Sequence, residues 1–70
     1  MKTIDSPVSG TVLEYLVKAG DSIAEGQEVV MMESMKMEIP VVAEASGTAS
    51  KLLFEKGAAV QEGQALIELS

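Results

Sequence analysis

Seventy residues, of which 47% are hydrophobic, suffice for one domain with one core, and we expect that domain to span residues 1–70. The chain has no cysteine and no histidine, which excludes disulfides, thiolate nucleophiles and the commonest metal ligand and general base. Eleven acidic residues against five lysines give a formal charge of −6. This charge argues against nucleic acids and anionic membranes as partners, because phosphate groups bind clustered basic side chains.

The first half of the chain is predicted to alternate short strands with turns. Residues 8–17 open with a Ser-Gly turn and are rich in Val, Thr and Leu, which favours a strand. Residues 18–21 have the composition of a tight turn, and a short strand is predicted around Ile23. A Glu-Gly-Gln turn then leads into a strand over residues 28–33.

The second half repeats this order. Residues 46–54 again predict a strand after a Ser-Gly turn, residues 55–58 a tight turn, and residues 65–69 a final strand. Another short strand is predicted around Val60. No window of 10–12 residues combines a helical apolar period with capping residues, so we expect no helix.

A shift of 37 positions superimposes the two halves. All six glycines pair in this one register, as Gly10 with Gly47, Gly20 with Gly57, and Gly26 with Gly63. Paired glycines predict the same turns built twice, because glycine tolerates positive φ. We therefore interpret the chain as an internal duplication with a pseudo-two-fold, forming an all-β sandwich or flattened barrel of about eight strands.

The duplication also predicts which apolar side chains point inward. We expect truncation of Leu53 or Ile67 to leave a costly cavity. The full set expected to face the core is Val30, Met32, Ile39, Val41, Ile67 and Leu69.

Four residues, 34–37, have no counterpart in the repeat and join its two copies. If Met35 and Lys36 form a two-residue hairpin turn, opposed residues sum to 71. The predicted facing pairs are Glu33 with Glu38, Met32 with Ile39, and Val30 with Val41.

This hairpin departs from three local preferences. Met35-Lys36 lacks the Asn or Gly that two-residue hairpin turns favour, because such turns need positive φ. Glu33 faces Glu38 with like charge, and two methionines would be exposed at the tip. Such concentrated departures are typical of functional sites.

Lys36 at this tip is the candidate functional group. An amine on a protruding turn can enter another enzyme's active site, which suits post-translational acylation. Nothing nearby could activate it for catalysis within this chain, so we expect no catalytic residue and no metal site. The other lysines, Lys2, Lys18, Lys51 and Lys56, are interpreted as solvated charges, and Met31 and Met32 as strand and core residues.

The segment Glu33-Ser34-Met35-Lys36-Met37-Glu38 closely resembles the biotin attachment signature of the biotinyl/lipoyl domain family. The Ser-Gly-Thr, Gly-Asp and Glu-Gly-Gln segments of the repeat are similar to the family as well, so the resemblance covers essentially all 70 residues. It implies a flattened β-barrel of two four-stranded antiparallel sheets, with the termini together at the end opposite the hairpin. It also implies covalent biotin on Lys36, recognised through the flanking residues Glu33, Ser34, Met35, Met37 and Glu38.

The resemblance further implies a non-catalytic carrier of a biotin-dependent carboxylase. A biotin protein ligase would supply biotinyl-adenylate to the Lys36 amine. A biotin carboxylase would then load carboxylate, and a carboxyltransferase would pass it to an acyl-CoA or a 2-oxo acid. The carrier would contribute effective concentration at two active sites. The expected location is the cytoplasm, or the mitochondrial matrix if the domain is part of a larger carboxylase.

Four features depart from the family pattern. Ser34 stands where the family more often has Ala, and Ala58 where Asp is expected after Gly57. The equal halves leave no room for the protruding "thumb" insertion of some biotin carriers. The Ala/Pro-rich linker that often precedes the domain is also missing, which fits either an excised C-terminal domain or a free-standing attachment protein.

Four other interpretations remain open. A lipoyl domain of a 2-oxo acid dehydrogenase complex would share the fold, but it typically has Asp before the lysine and Ala or Val after it. A dual biotin/lipoyl attachment protein would accept both cofactors. An unmodified structural module is a further alternative, although it has no reason to keep a lysine between two methionines at a turn. An enzyme is the least favoured, since the chain lacks His, Cys and a phosphate-binding glycine-rich loop.

Overall fold

The computed structural model describes residues 2–70, and every regular element among them is a β-strand. In chain order the strands are β1 (Lys2–Asp5), β2 (Gly10–Tyr15), β3 (Ser22–Ile23), β4 (Glu28–Ser34), β5 (Met37–Val42), β6 (Gly47–Leu52), β7 (Ala59–Val60) and β8 (Ala65–Leu69). The strands predicted over 8–17 and 46–54 are therefore shorter at both ends than expected. Those over 28–33 and 65–69 and the short strands at Ile23 and Val60 are confirmed.

Two four-stranded antiparallel sheets make up the molecule. The terminal sheet, named for the chain ends in β1 and β8, has strand order β1-β8-β6-β3, and the hairpin sheet has order β5-β4-β2-β7. Exchanging each strand with its counterpart in the other half converts one order into the other. The predicted all-β fold of two equivalent halves is thus confirmed.

Each sheet takes two strands from each half of the chain. The halves are consequently interleaved, and neither can bury its apolar face alone. One core lies between the sheets, and its fully buried large side chains include Val12, Val29, Val30, Met32, Val41, Leu66, Ile67 and Leu69. Most of these positions alternate with exposed or half-buried ones, as expected when one sheet face meets the core and the other meets water. The adjacent buried pairs Val29-Val30 and Leu66-Ile67 fall at register shifts of the ladders.

The inward-facing prediction is correct for five of its six residues and needs two corrections. Ile39 is only half-buried, because β5 is an edge strand whose pairing on one side only leaves it partly open to solvent. Leu53 is also half-buried, since it follows the last residue of β6, and its repeat partner Leu16 is 43% exposed. Truncating Leu53 therefore removes less buried surface than truncating Ile67.

The six paired glycines fall into two groups with different physical roles. Gly20, Gly26, Gly57 and Gly63 adopt φ between 89° and 97°, so they do form the same left-handed turns twice, as predicted. Gly10 instead permits close packing, because a Cβ there would lie 2.2 Å from the Glu33 carbonyl oxygen. Gly47 packs in the equivalent way, with an added Cβ at 3.1 Å from the Ser70 carbonyl oxygen.

The tight turns predicted at 18–21 and 55–58 are confirmed and differ in one contact. Asp21 N–H donates to the Lys18 carbonyl oxygen, and Ala58 N–H to that of Glu55, both at 3.0 Å. In the first turn the Lys18 N–H also donates to the Asp21 carboxylate at 2.9 Å. The methyl group of Ala58 cannot accept the corresponding hydrogen bond. The second turn therefore lacks the bond that an Asp at this position would make.

The chain ends lie together, away from the hairpin. Lys2 pairs with Leu69 across the β1–β8 ladder. The start of β8 is instead near the hairpin, because the Glu62 N–H bonds to Ser9, which also contacts Ser34. Since β8 runs from that point to Leu69, the termini occupy the opposite end of the barrel.

Candidate functional site

The β4–β5 hairpin has the register predicted from the sequence. Glu33 pairs with Glu38, Met32 with Ile39 and Val30 with Val41, and Ser34 closes the ladder against Met37. Met35 and Lys36 are the two turn residues. The four-residue connector of the repeat is therefore the tip of the hairpin sheet.

Both turn residues have a left-handed backbone. Met35 has φ 53° and Lys36 has φ 64°, and they are the two non-glycine residues with positive φ in the part of the chain that the structure describes. A two-residue type I′ hairpin turn requires positive φ at both central positions. The geometry therefore demands a conformation that neither side chain favours.

The side chains of the tip project into solvent. Lys36 is exposed, Met35 is 88% exposed, and Met37 is 57% exposed. Met35 buries little of its apolar surface within the domain, and Met37 buries less than half. They are available for contact with another protein around the lysine amine.

Ser34 fixes the base of the hairpin to the rest of the barrel. Its hydroxyl donates to the Ser9 carbonyl oxygen at 2.8 Å, and the Ser9 hydroxyl accepts the Glu62 N–H at 3.0 Å. Close approach of Gly10 to the Glu33 carbonyl brings β2 against the same point. The half-buried Ser34 thus supports the hairpin from within, in addition to the recognition role predicted for it.

Ser9 and Gly10 are positioning residues that the prediction of the site did not include. The signal was present, since Ser9-Gly10 opens the repeat at the same offset as Ser46-Gly47. The sequence does not indicate that the β1–β2 loop contacts the base of the hairpin.

Two carboxylates flank the tip on the outer face of the hairpin sheet. Glu33 and Glu38 are both exposed, and Glu33 also pairs with Thr11 on β2. Like charges directly across a ladder cost about 0.2–1 kcal/mol. The structure places all six residues of the predicted site, 33–38, on this one hairpin.

The site has the properties required for covalent attachment of a small carboxylic acid. The acceptor is one amine on a stem of four methylenes, exposed at a turn held by an antiparallel ladder and by Ser34.

Residues 2–70 contain no group of three or more His, Cys, Asp or Glu side chains able to hold a metal ion. Over the same residues there is no helix long and apolar enough to cross a membrane.

Comparison with known proteins agrees with this geometry. The sequence profile of a family described as biotin-requiring enzyme matches residues 2–69. The chain belongs to the biotinyl/lipoyl domain family. This biotinyl/lipoyl domain is 47% identical over 68 residues to the biotin/lipoyl attachment protein of Bacillus subtilis, covering 97% of the chain and 93% of that protein.

Longer proteins contain a region similar to this domain. It is 38% identical over 68 residues to the biotin carboxyl carrier protein of Streptococcus mutans, and spans 97% of this chain but 52% of that protein. Its fold superposes on the urea carboxylase of Kluyveromyces lactis with a TM-score of 0.90 at 28% identity, over 99% of this chain and 6% of that one. The same fold therefore occurs both as most of a small protein and as a minor part of a large one.

Proposed function

We propose that this domain is a biotin carboxyl carrier and that biotin is attached through an amide to the Nζ of Lys36. The observation that carries the proposal is the position of Lys36, at the exposed tip of a hairpin that joins the two halves of the duplication. Relatives whose names state biotin attachment and carboxyl carrying support the choice of cofactor.

Attachment uses the chain's own amine as the nucleophile. The Nζ lone pair attacks the carboxyl carbon of biotinyl-adenylate, the C–N bond forms, the bond to the AMP oxygen breaks, and the amine loses a proton. The activating chemistry comes from a biotin protein ligase, which forms the adenylate from biotin and ATP. Met35 and Met37 are the apolar surfaces that the ligase would contact on either side of the amine.

As a carrier, the domain positions and transports rather than catalyses. When attached, biotin supplies a ring nitrogen that accepts carboxylate at a biotin carboxylase and releases it at a carboxyltransferase. The rigid barrel keeps Lys36 projecting from one end and the chain termini at the other. An arm tethered in this way raises the effective concentration of the transferred group at both active sites. The acceptor would be an acyl-CoA or a 2-oxo acid.

The carrier role is tested by loading the ligase-modified domain with radiolabelled bicarbonate, ATP and a biotin carboxylase. Label should appear on modified wild type, and on Lys56→Arg, a control that changes another exposed turn lysine. It should be absent from Lys36→Arg, which keeps the charge but removes the acceptor amine. Equal labelling of Lys36→Arg and wild type would overturn the proposal.

The same lysine could carry lipoate, and the flanking methionines favour biotin. Specificity between two ligases is a difference between two affinities. We predict that Met35→Asp with Met37→Ala strongly reduces biotinylation and raises lipoylation, because an apolar groove would have to desolvate the new carboxylate. Both side chains are exposed, so the fold should be retained.

The comparison uses wild type and the double variant with each ligase, with the modification rate followed by intact mass. Ala24→Asp, at an exposed position before the start of β4 and therefore at the opposite end of the hairpin from the tip, serves as the charge control. Biotinylation of the double variant at the wild-type rate would show that the ligase does not recognise the methionines.

A further inference from the structure

The two sheets present chemically different outer faces on equivalent backbones. Across the hairpin sheet, Pro40 pairs with Met31 and Met31 with Glu14. The same row of the terminal sheet, 37 positions away, is Thr3 with Glu68 and Glu68 with Lys51. A proline and a methionine thus stand where the duplicated sheet has a threonine and a glutamate.

Two neighbouring positions show the same difference. Leu13, at the β2 bulge, corresponds to Ser50 at the β6 bulge, and Val42 corresponds to Asp5. Val42 is 43% exposed, although β-branched apolar residues are usually buried. Because the terminal sheet forms with polar side chains at these places, folding does not require the apolar ones.

The hairpin sheet also has a one-sided charge. Its strands contain four glutamates and no lysine, namely Glu14, Glu28, Glu33 and Glu38. The strands of the terminal sheet balance two acids against two lysines, which are Asp5, Glu68, Lys2 and Lys51. An apolar centre with an acidic border is therefore confined to the sheet that bears Lys36.

We propose that this docking face, composed of Leu13, Met31, Pro40 and Val42 with Glu14 and Glu28, binds the enzyme that acylates Lys36. The complementary surface on that enzyme would have an apolar centre bordered by lysine or arginine side chains. The proposal rests on the proposed function, since it concerns recognition at the same hairpin.

Continuity with the hairpin identifies this occupant. Four of the six residues of the docking face lie on β4 and β5, the two strands that flank the Lys36 turn, and the other two lie on the adjacent strand β2. Before modification, Lys36 reaches no further than its own four-carbon stem, so the acylating enzyme must cover the tip and the adjoining sheet. Enzymes that act after modification approach a longer arm and need less of this face.

The pseudo-symmetry supplies matched variants. Met31→Glu with Val42→Asp gives the docking face the side chains of the terminal sheet. Glu68→Met with Asp5→Val makes the reverse exchange on the terminal sheet and serves as the control. The measurement is kcat/KM for biotin incorporation by a purified biotin protein ligase, from initial rates of the mass change at low domain concentration.

We expect kcat/KM to fall by about tenfold or more in the docking-face variant, mainly through KM, and by less than about twofold in the control. The docking-face variant adds negative charge, which would speed encounter with a basic surface. A fall in rate therefore reports the lost apolar contact. In the opposite sense, Glu14→Lys, which installs the residue of the equivalent Lys51, should weaken association and reduce its sensitivity to salt.

Circular dichroism and urea unfolding check that the variants are folded. Met31 is half-buried, so if Met31→Glu unfolds the domain, Pro40→Thr with Val42→Asp at exposed positions replaces it. Failure of wild type to accept biotin on Lys36 would contradict the proposed function. Normal modification of wild type with an unchanged kcat/KM in the folded docking-face variant would instead contradict the docking proposal alone.

Discussion

At the hairpin tip, Met35 and Lys36 occupy backbone conformations that disfavour most residues with a Cβ. Their φ values of 53° and 64° suit glycine or asparagine, and for other residues the left-handed region costs about 1–2 kcal/mol. The exposed side chains do not offset this cost by packing. The strain coincides with the position that we propose for biotin attachment.

Substitutions at Lys36 should therefore separate backbone strain from side-chain packing. We predict that Lys36→Ala leaves the free energy of unfolding within about 0.5 kcal/mol of wild type, because the side chain is exposed at the tip of the turn. Lys36→Gly should raise it by about 1 kcal/mol, because glycine adopts positive φ without a Cβ clash. Urea unfolding of both variants provides the comparison, and equal stability of the two would mean that the turn is unstrained.

The residues of the hairpin were predictable, and its support was not. The register followed from the position of the connector, residues 34–37, and from the expectation that opposed residue numbers sum to 71. Both of these depend only on spacing along the chain. The bond from Ser34 to the Ser9 carbonyl joins residues 25 positions apart. No local pattern specifies such a contact, which depends on how the β1–β2 loop folds over the hairpin base.

The Tyr15 hydroxyl links strand β2 to the second half of the chain. It donates to the Leu66 carbonyl oxygen on β8 and accepts the Phe54 N–H after β6, both at 3.3 Å. The equivalent position in the second half is Leu52, so the duplication does not repeat this link. Burial raises the pKa of Tyr15 above its ordinary value of 10.0, while the bond from Phe54 partly opposes that rise.

The raised pKa predicts alkaline destabilisation. The folded state holds the phenolic proton more tightly than the unfolded state, so stability falls as pH rises. The contribution of Tyr15 is complete below the unfolded value near 10.0 and is lost as pH increases through the folded pKa. The midpoint of urea unfolding, measured from about pH 8 to about pH 11, should fall more steeply in wild type than in Tyr15→Phe. Parallel profiles would exclude Tyr15 as a cause.

The existence of the elements followed from composition and glycine spacing, whereas their ends followed from tertiary contacts. β2 and β6 both begin at glycines, where an added Cβ would press against a backbone carbonyl oxygen, that of Glu33 for Gly10 and that of Ser70 for Gly47. The sequence predicted a turn at these two Ser-Gly pairs. The composition of a Ser-Gly pair is the same whether the glycine is required for positive φ or for close packing, so composition alone does not distinguish a turn from the start of a strand.

Across the whole molecule, stability comes from one core shared by two interleaved halves. Ile67 lies in the central strand β8 and is fully buried, whereas Leu53 lies beyond the end of β6 and is half-buried. The equivalence of the halves was predictable from the repeat. That each sheet takes strands from both halves was not predictable, because β1 pairs with β8, which lies at the other end of the chain.

Core truncation should follow burial in the structure rather than hydrophobicity in the sequence. We predict that Ile67→Ala lowers the free energy of unfolding by about 2–5 kcal/mol, because it leaves a cavity between the sheets. Leu53→Ala should lower the free energy of unfolding by less than about 2 kcal/mol, because folding removes a smaller apolar area of Leu53 than of Ile67 from contact with water. Chemical denaturation of both variants decides the order, and a larger loss for Leu53→Ala would contradict the placement of the core.

We propose that Lys36 alone accepts biotin. Fragment-ion mass spectrometry of the wild-type domain, after incubation with a biotin protein ligase, biotin and ATP, tests this proposal. We expect one biotin per chain, located on Lys36, with Lys2, Lys18, Lys51 and Lys56 unmodified. Biotin on any of those four lysines, or modification that persists in Lys36→Arg, would contradict it.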